Sequence, residues 1–148
     1  MKFKTFCFTA LMSMSVNAFT IDVVNHKSPY CGCCGDWSKY MEANGFKVTE
    51  KLHDNMNAVK SRLGLNNQNL YSCHTAEIDG YVFEGHVPAE DIKAFLDNPP
   101  KGAKGLTVPG MPIGSPGMEH GDKKDRYVVY AFNEAGQTFE FRVHEGNQ

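Results

Sequence analysis

Three thiols within four residues, Cys31-Gly32-Cys33-Cys34, constrain the fold of this chain more than any other feature. The run follows Ser28-Pro29-Tyr30, a turn with a Pro breaker, and precedes Trp37, Tyr40 and Met41, which recur at helical spacing. The cysteines therefore belong at the N-terminal end of a helix, where free backbone N–H groups and the helix dipole favour thiolate. Adjacent Cys33 and Cys34 are poorly placed to pair, because consecutive Cα atoms lie about 3.8 Å apart, below the usual disulfide range. Cys31 with Cys34, and Cys33 with Cys73, stay open as bridges, so a module merely stapled by two disulfides is one reading of the residues.

The rest of the pattern surrounds this motif with alternating elements. Residues 20–24 read as a short strand, and Gly45 after Asn44 caps the helix that follows. Residues 46–51 alternate as a second strand. Met56, Val59 and Leu63 mark a second helix, stopped by Gly64, and 65–70 is polar and loop-like. Residues 75–78 and 81–84 form a hairpin about Asp79-Gly80, a favoured tight-turn pair. Pro88 opens a third helix, with Ile92, Phe95 and Leu96 on its buried face and Pro99-Pro100 beyond its end. The order β-α-β-α-β-β-α is that of a thioredoxin-like α/β fold. Eleven of the 23 residues from 99 to 121 are Gly or Pro, which predicts one long loop, and its Met111 and Met118 point to a functional one. Residues 127–132 and 138–143 then form a second hairpin, a C-terminal extension to the fold.

The first eighteen residues read as a secretory signal peptide. Lys2 and Lys4 start it, 6–16 is mostly apolar or small, and Val16-Asn17-Ala18 is a small-x-small cleavage site. The apolar run is too short to span a bilayer comfortably, and Cys7 leaves with it. Cleavage gives one domain, 19–148, in an oxidising compartment. The chain carries 15 basic and 17 acidic residues. Loss of Lys2 and Lys4 takes the formal charge from −2 to −4, which gives no electrostatic reason to bind nucleic acid or anionic lipid.

The side chains suited to a soft metal are Cys31, Cys33, Cys34, Cys73, His74, His86, Met111 and Met118. Crowded thiolates repel one another unless cations lie between them, and bridging thiolates serve more than one Cu(I) each. Formal charge allows up to about four Cu(I) ions for four thiolates. Zinc in a closed site of four cysteines is the alternative metal. It would leave the Met-bearing loop unexplained, and the C-G-C-C spacing suits a bridged cluster better than one tetrahedral ion. A thiol–disulfide oxidoreductase, with Cys31 attacking and Cys34 resolving, is the alternative of another class. Such enzymes carry a cis-Pro before the third strand, and here that stretch is Ser72-Cys73-His74-Thr75. Of the remaining histidines, His26 and His53 read as structural or solvent-facing, His120 as a loop histidine beside Met118, and His144 as bland.

Four motifs together resemble a family. Ser-Pro-Tyr-Cys-Gly-Cys-Cys-Gly at 28–35, Ser-Cys-His-Thr-Ala at 72–76, Asp-Gly-Tyr-Val-Phe-Glu-Gly-His-Val-Pro at 79–88 and Val-Pro-Gly-Met-Pro-Ile-Gly-Ser-Pro-Gly-Met-Glu at 108–119 are similar to those of CopG-like periplasmic metal-binding proteins. The family was long known only as a bacterial domain of unknown function. The resemblance implies a thioredoxin-like fold with a C-terminal extension and a place in periplasmic copper resistance. It implies a cysteine-bridged multinuclear copper site at Cys31, Cys33, Cys34 and Cys73, with interconversion of Cu(I) and Cu(II). Copper carriers or exporters of the periplasm are the implied partners. Whether copper turns over as a substrate or stays bound is left open by the residues.

Overall fold

The computed structural model describes residues 20–147. The signal-peptide reading of 1–18, with Cys7, lies outside the described residues. The described residues form a mixed α/β fold of one seven-stranded sheet and three α-helices. The strands are β1 (Ile21–Lys27), β2 (Phe46–Leu52), β3 (Thr75–Ile78), β4 (Tyr81–Glu84), β5 (Ala103–Thr107), β6 (Tyr127–Asn133) and β7 (Thr138–His144). The helices are α1 (Gly32–Ala43), α2 (Met56–Arg62) and α3 (Ala89–Asp97). The sheet order is β2-β1-β3-β4-β5-β6-β7, with parallel pairing only for β1 with β2 and for β4 with β5.

Local signals place most of these elements. Gly45 at φ 88° follows α1, and its N–H bonds the carbonyl of Glu42. Asn55 caps α2 by accepting from the Ala58 N–H, and Pro88 stands at the N-cap of α3. The two-residue turn at Asp79-Gly80 sets the β3–β4 register, so Thr75 lies opposite Glu84. Strand alternation then divides the sheet between two faces. Phe83 joins the main core with Trp37 and Met41 of α1 and Ile92 and Phe95 of α3. Val82 joins a smaller cluster with Leu65, Leu70 and Phe132. Burying each large apolar side chain contributes about 1.5–3 kcal/mol, and Phe95 adds edge-on contacts to Tyr81, Phe83 and Phe141.

Two expectations, the single loop at 99–121 and a bland His144, are corrected. Residues 99–121 are not one loop, because β5 lies inside them and bridges β4 to β6. Its glycine is required by packing: a Cβ at Gly105 would stand 1.6 Å from the Val82 carbonyl oxygen. The Gly/Pro/Met-rich loop is thus 108–126. The expected C-terminal hairpin is present as β6 and β7, and it extends the same sheet. It is tied to α3 at buried Asp91. His144 Nε2 lies 2.7 Å from Oδ2 of Asp91, and Arg142 Nε 2.8 Å from Oδ1, off hydrogen-bond alignment and so an ionic contact. His144, expected to be bland, is an anchor.

No described helix is long and apolar enough to cross a membrane.

Candidate metal centre

The C-terminal end of β1 delivers the chain to Cys31, the N-cap of α1. A polar brace fixes that helix beside the strand. Asn25 donates to the Ser38 hydroxyl, 2.9 Å away, and Ser38 donates to Glu50 at 2.7 Å. The first turn of α1 then sorts the three thiols. Cys31 and Cys34, with Cα atoms 5.4 Å apart, form a disulfide. Cys33 stands between that bridge and Cys73, and Cys33 and Cys73 remain free thiols, 3.9 Å apart. Of the two bridges the spacing allowed, one is therefore made and the other is not. Cys31 Sγ also lies 3.6 Å from Cys33 Sγ. All four sulfurs fall within 4.8 Å of one another, although Cys73 is far from the other three in sequence.

Cys73 stands on the segment leading into β3, with no cis peptide there or elsewhere among the described residues. It is the junction between the sulfurs and two imidazoles. His86 Nε2 is 3.1 Å from its Sγ, and His74 Nδ1 is 3.4 Å away. His86 Nδ1 donates to the Pro116 carbonyl at 2.7 Å, so Nε2 keeps its lone pair and turns it toward Cys73. A metal-ligating histidine is held in the same way, with its distal N–H fixed by a carbonyl. His74 is fully buried against Trp37 and His86, and its Nε2 has no hydrogen-bond partner. Trp37 is itself fixed by donating to the Val87 carbonyl at 3.0 Å.

Burial and the neighbouring Cys33 sulfur push the Cys73 thiol up to about 12, so it is protonated at neutral pH in the metal-free protein. Burial also holds His74 well below the ordinary histidine value of 6.5, and lowers His86. Both imidazoles are thus neutral, as metal ligands must be. The sign of the His74 effect on stability follows. As pH falls below about 6.5, the unfolded chain binds a proton that the native protein refuses, so native stability is lost, at up to about 1.4 kcal/mol per pH unit. We expect the urea midpoint of the metal-free protein to fall between pH 7.5 and 5.5. His74→Phe should flatten that dependence, and an unchanged slope in the variant would contradict the assignment.

Loop 108–126 closes over this group. Gly117, at φ 82°, packs so tightly on α1 that a Cβ would lie 2.7 Å from Trp37 N and 2.8 Å from the Cys33 carbonyl oxygen. Pro116 thereby reaches His86, and Met118, two residues on, lines a surface pocket with Ile113, Glu119 and His120. Met111 behaves differently. It is half exposed and lines a surface cleft with Arg126, Tyr127 and Tyr130. The structure therefore gathers Cys31, Cys33, Cys34, Cys73, His74 and His86, while Met111 and Met118 stand on loop 108–126 and line two separate surface pockets. Sequence reasoning missed the Pro116 carbonyl, since a backbone acceptor leaves no trace in residue types. It also missed Lys60 and Glu84, buried beneath Cys73; an acid opposite Thr75 in the hairpin register was the available signal.

Comparison with known proteins agrees with this picture. A family model described as "Protein of unknown function, DUF411" matches residues 70–118, which include Cys73, His74 and His86. Two solved structures, of copper resistance protein CopG in Form 1 and Form 2, are each 46% identical in sequence. Form 1 superposes at a TM-score of 0.80 over 86% of this chain and 100% of that one. Form 2 does so at 0.79 over 85% and 99%. No curated protein matches the chain.

Proposed function

The chain belongs to the family of copper resistance protein CopG, and from that premise we propose that it is a periplasmic copper-handling protein. The observation that carries the proposal is the gathering of four cysteine sulfurs within 4.8 Å of one another, with one of them, Cys73, meeting a histidine whose Nε2 is turned toward it. Copper is the cargo or substrate. Cys31, Cys33, Cys34 and Cys73 hold it as bridging thiolates, with His86 as the imidazole ligand and more than one Cu(I) per chain. His74 packs behind Cys73, and Met118 is the thioether assigned to the site. Met111, on its own cleft, has the weakest claim among the loop side chains. The Cys31–Cys34 bridge must be reduced before those two sulfurs can serve as thiolates, which joins copper loading to redox state. A mixed thiolate and imidazole set tolerates both Cu(I) and Cu(II), which supports interconversion of the two. The element order and the β2-β1-β3-β4 half of the sheet support a thioredoxin-like core. The signal-like N-terminus supports export, and copper carriers or exporters are the partners such a role needs.

The disulfide at a helix N-terminus favours a second reading, thiol–disulfide exchange. Two features weigh against it. Cys33 and Cys73 crowd the dithiol with competing sulfur. In addition, the backbone beside Cys73 is occupied by the chain's own loop: Gly110 N–H donates to the Tyr71 carbonyl at 3.1 Å, and the Ser72 hydroxyl donates to the Gly110 carbonyl. A zinc module would need all four sulfurs closed on one ion, with His86 and the loop left without a role.

The test is elemental analysis of protein purified from periplasm with copper supplied, together with free-thiol counting. We expect bound copper and protected thiols. Zinc in its place, metal-free protein, or protein absent from the periplasm would each refute the corresponding part of the proposal.

A further inference from the structure

Beneath Cys73 lies an ion pair that the copper chemistry does not use. Lys60 of α2 and Glu84 of β4 are both buried, and their charged ends meet directly. Removing two such charges from water is costly, and pairs like this often add little net stability. The arrangement around them indicates another role. Each Glu84 oxygen has a definite task. Oε2 accepts from the Thr75 hydroxyl at 2.6 Å, and Oε1 accepts from the Ser72 backbone N–H at 2.6 Å as well as from Lys60. Lys60 also donates to Thr75 at 3.0 Å and lies over the Tyr71 ring. The residue before Cys73 is thus bonded to Glu84, and the residue after it is bonded next door, where the His74 carbonyl accepts from Gly85 N–H at 2.9 Å. The Glu84 carbonyl further accepts from Val108 N–H, at the start of the loop that reaches His86.

We propose that Glu84 is a positioning residue for Cys73, with Lys60 holding its carboxylate in place. Through Ser72 the carboxylate oxygen fixes the segment that sets the Cys73 sulfur between Cys33 and His86. A strand that lacks a rigid proline at this point gains its rigidity from a buried acceptor. This inference rests on the copper reading for its consequence but not for its geometry, and the experiment separates the two.

The experiment compares two double variants with wild type, K60M/E84L and K60M/E84Q. The first deletes the acceptor without leaving an orphaned ammonium. The second keeps one oxygen able to accept from Ser72 N–H. In the metal-free, disulfide-intact protein, iodoacetamide labelling with peptide mapping reads Cys73 and Cys33 separately. Competition with a Cu(I) chelator reads the reduced protein. We expect K60M/E84L to label at Cys73 roughly tenfold faster, with Cys33 little changed, and to bind Cu(I) roughly 10- to 100-fold more weakly. K60M/E84Q should recover most of both losses. Folded K60M/E84L with wild-type labelling at Cys73 would overturn the proposal, as would equal loss in both variants. If wild type binds no Cu(I), the copper reading fails while the labelling still decides the positioning role. If K60M/E84L does not fold, the K60M/E84Q result decides: wild-type labelling and Cu(I) affinity support the proposal, and loss of both in a folded protein overturns it.

Discussion

Cys33→Ser is expected to reduce the Cu(I) capacity of the reduced protein from more than one ion per chain to one at most. Cys33 is the middle of the sulfur group, 3.6 Å from Cys31 and 3.9 Å from Cys73. All four sulfurs lie within 4.8 Å of one another, and Cys33 is the one in closest contact with both Cys31 and Cys73. A hydroxyl at that position is too hard a ligand for Cu(I) and cannot bridge two ions as a thiolate does. The two ends would then act as separate, weaker sites. Anaerobic titration against a chelator reads the change directly. The same substitution separates the readings of another class. A disulfide enzyme needs only Cys31 and Cys34, and should reduce insulin as well without Cys33 or better with it. We expect little insulin turnover by wild type and some gain in Cys33→Ser, since the variant restores a plain two-cysteine motif. Full copper capacity in the variant, or robust wild-type turnover lowered by it, would reverse the order of the two readings.

The second large effect is expected at Gly117. Gly117→Ala places a methyl against backbone atoms of Trp37 and Cys33 that belong to α1 and cannot rotate aside. The residue also sits at φ 82°, where a Cβ is strained whatever the space. Overpacking and left-handed strain together cost roughly 2–5 kcal/mol if the loop stays docked. The cheaper outcome is for the loop to lift. Lifting withdraws the Pro116 carbonyl from His86, freeing the imidazole to rotate and to exchange tautomers. We expect either a lower denaturation midpoint or, if stability is retained, weaker Cu(I) binding with altered Cu(II) absorption. A variant with wild-type stability and wild-type spectra would show that the loop does not dock as described.

Both effects concern contacts between distant parts of the chain, and they mark where the sequence stops being informative. The three helices, the β3–β4 hairpin and its register, the Gly45 cap and the placing of Cys31 at a helix start were all legible, because each depends on residues within a turn or two of one another. The spacing of Cys31, Cys33 and Cys34 was enough to indicate soft-metal chemistry. β5 was not legible. Ala103-Lys104-Gly105-Leu106-Thr107 offers no clear alternation, and its glycine reads as a breaker until Val82 is seen to press against it. Strand formation there is settled by two neighbours, β4 and β6, not by the segment's own preference.

The site divides along the same line. Residue types by themselves determined the candidate ligands, since thiol, imidazole and thioether are the soft and borderline donors wherever they fall. Only the tertiary structure decided which of them meet. Sheet pairing of β1 with β3 brings Cys73 under the first turn of α1, so Cys33 faces it while Cys34 turns inward to Cys31. The docking of Gly117 decides that His86 presents Nε2, and the loop leaves Met118 and Met111 on two different surface pockets. Local periodicity is written in neighbouring residues. A ligand's direction is set by whatever packs against it from tens of residues away, and that is fixed only when the sheet, helix and loop close together.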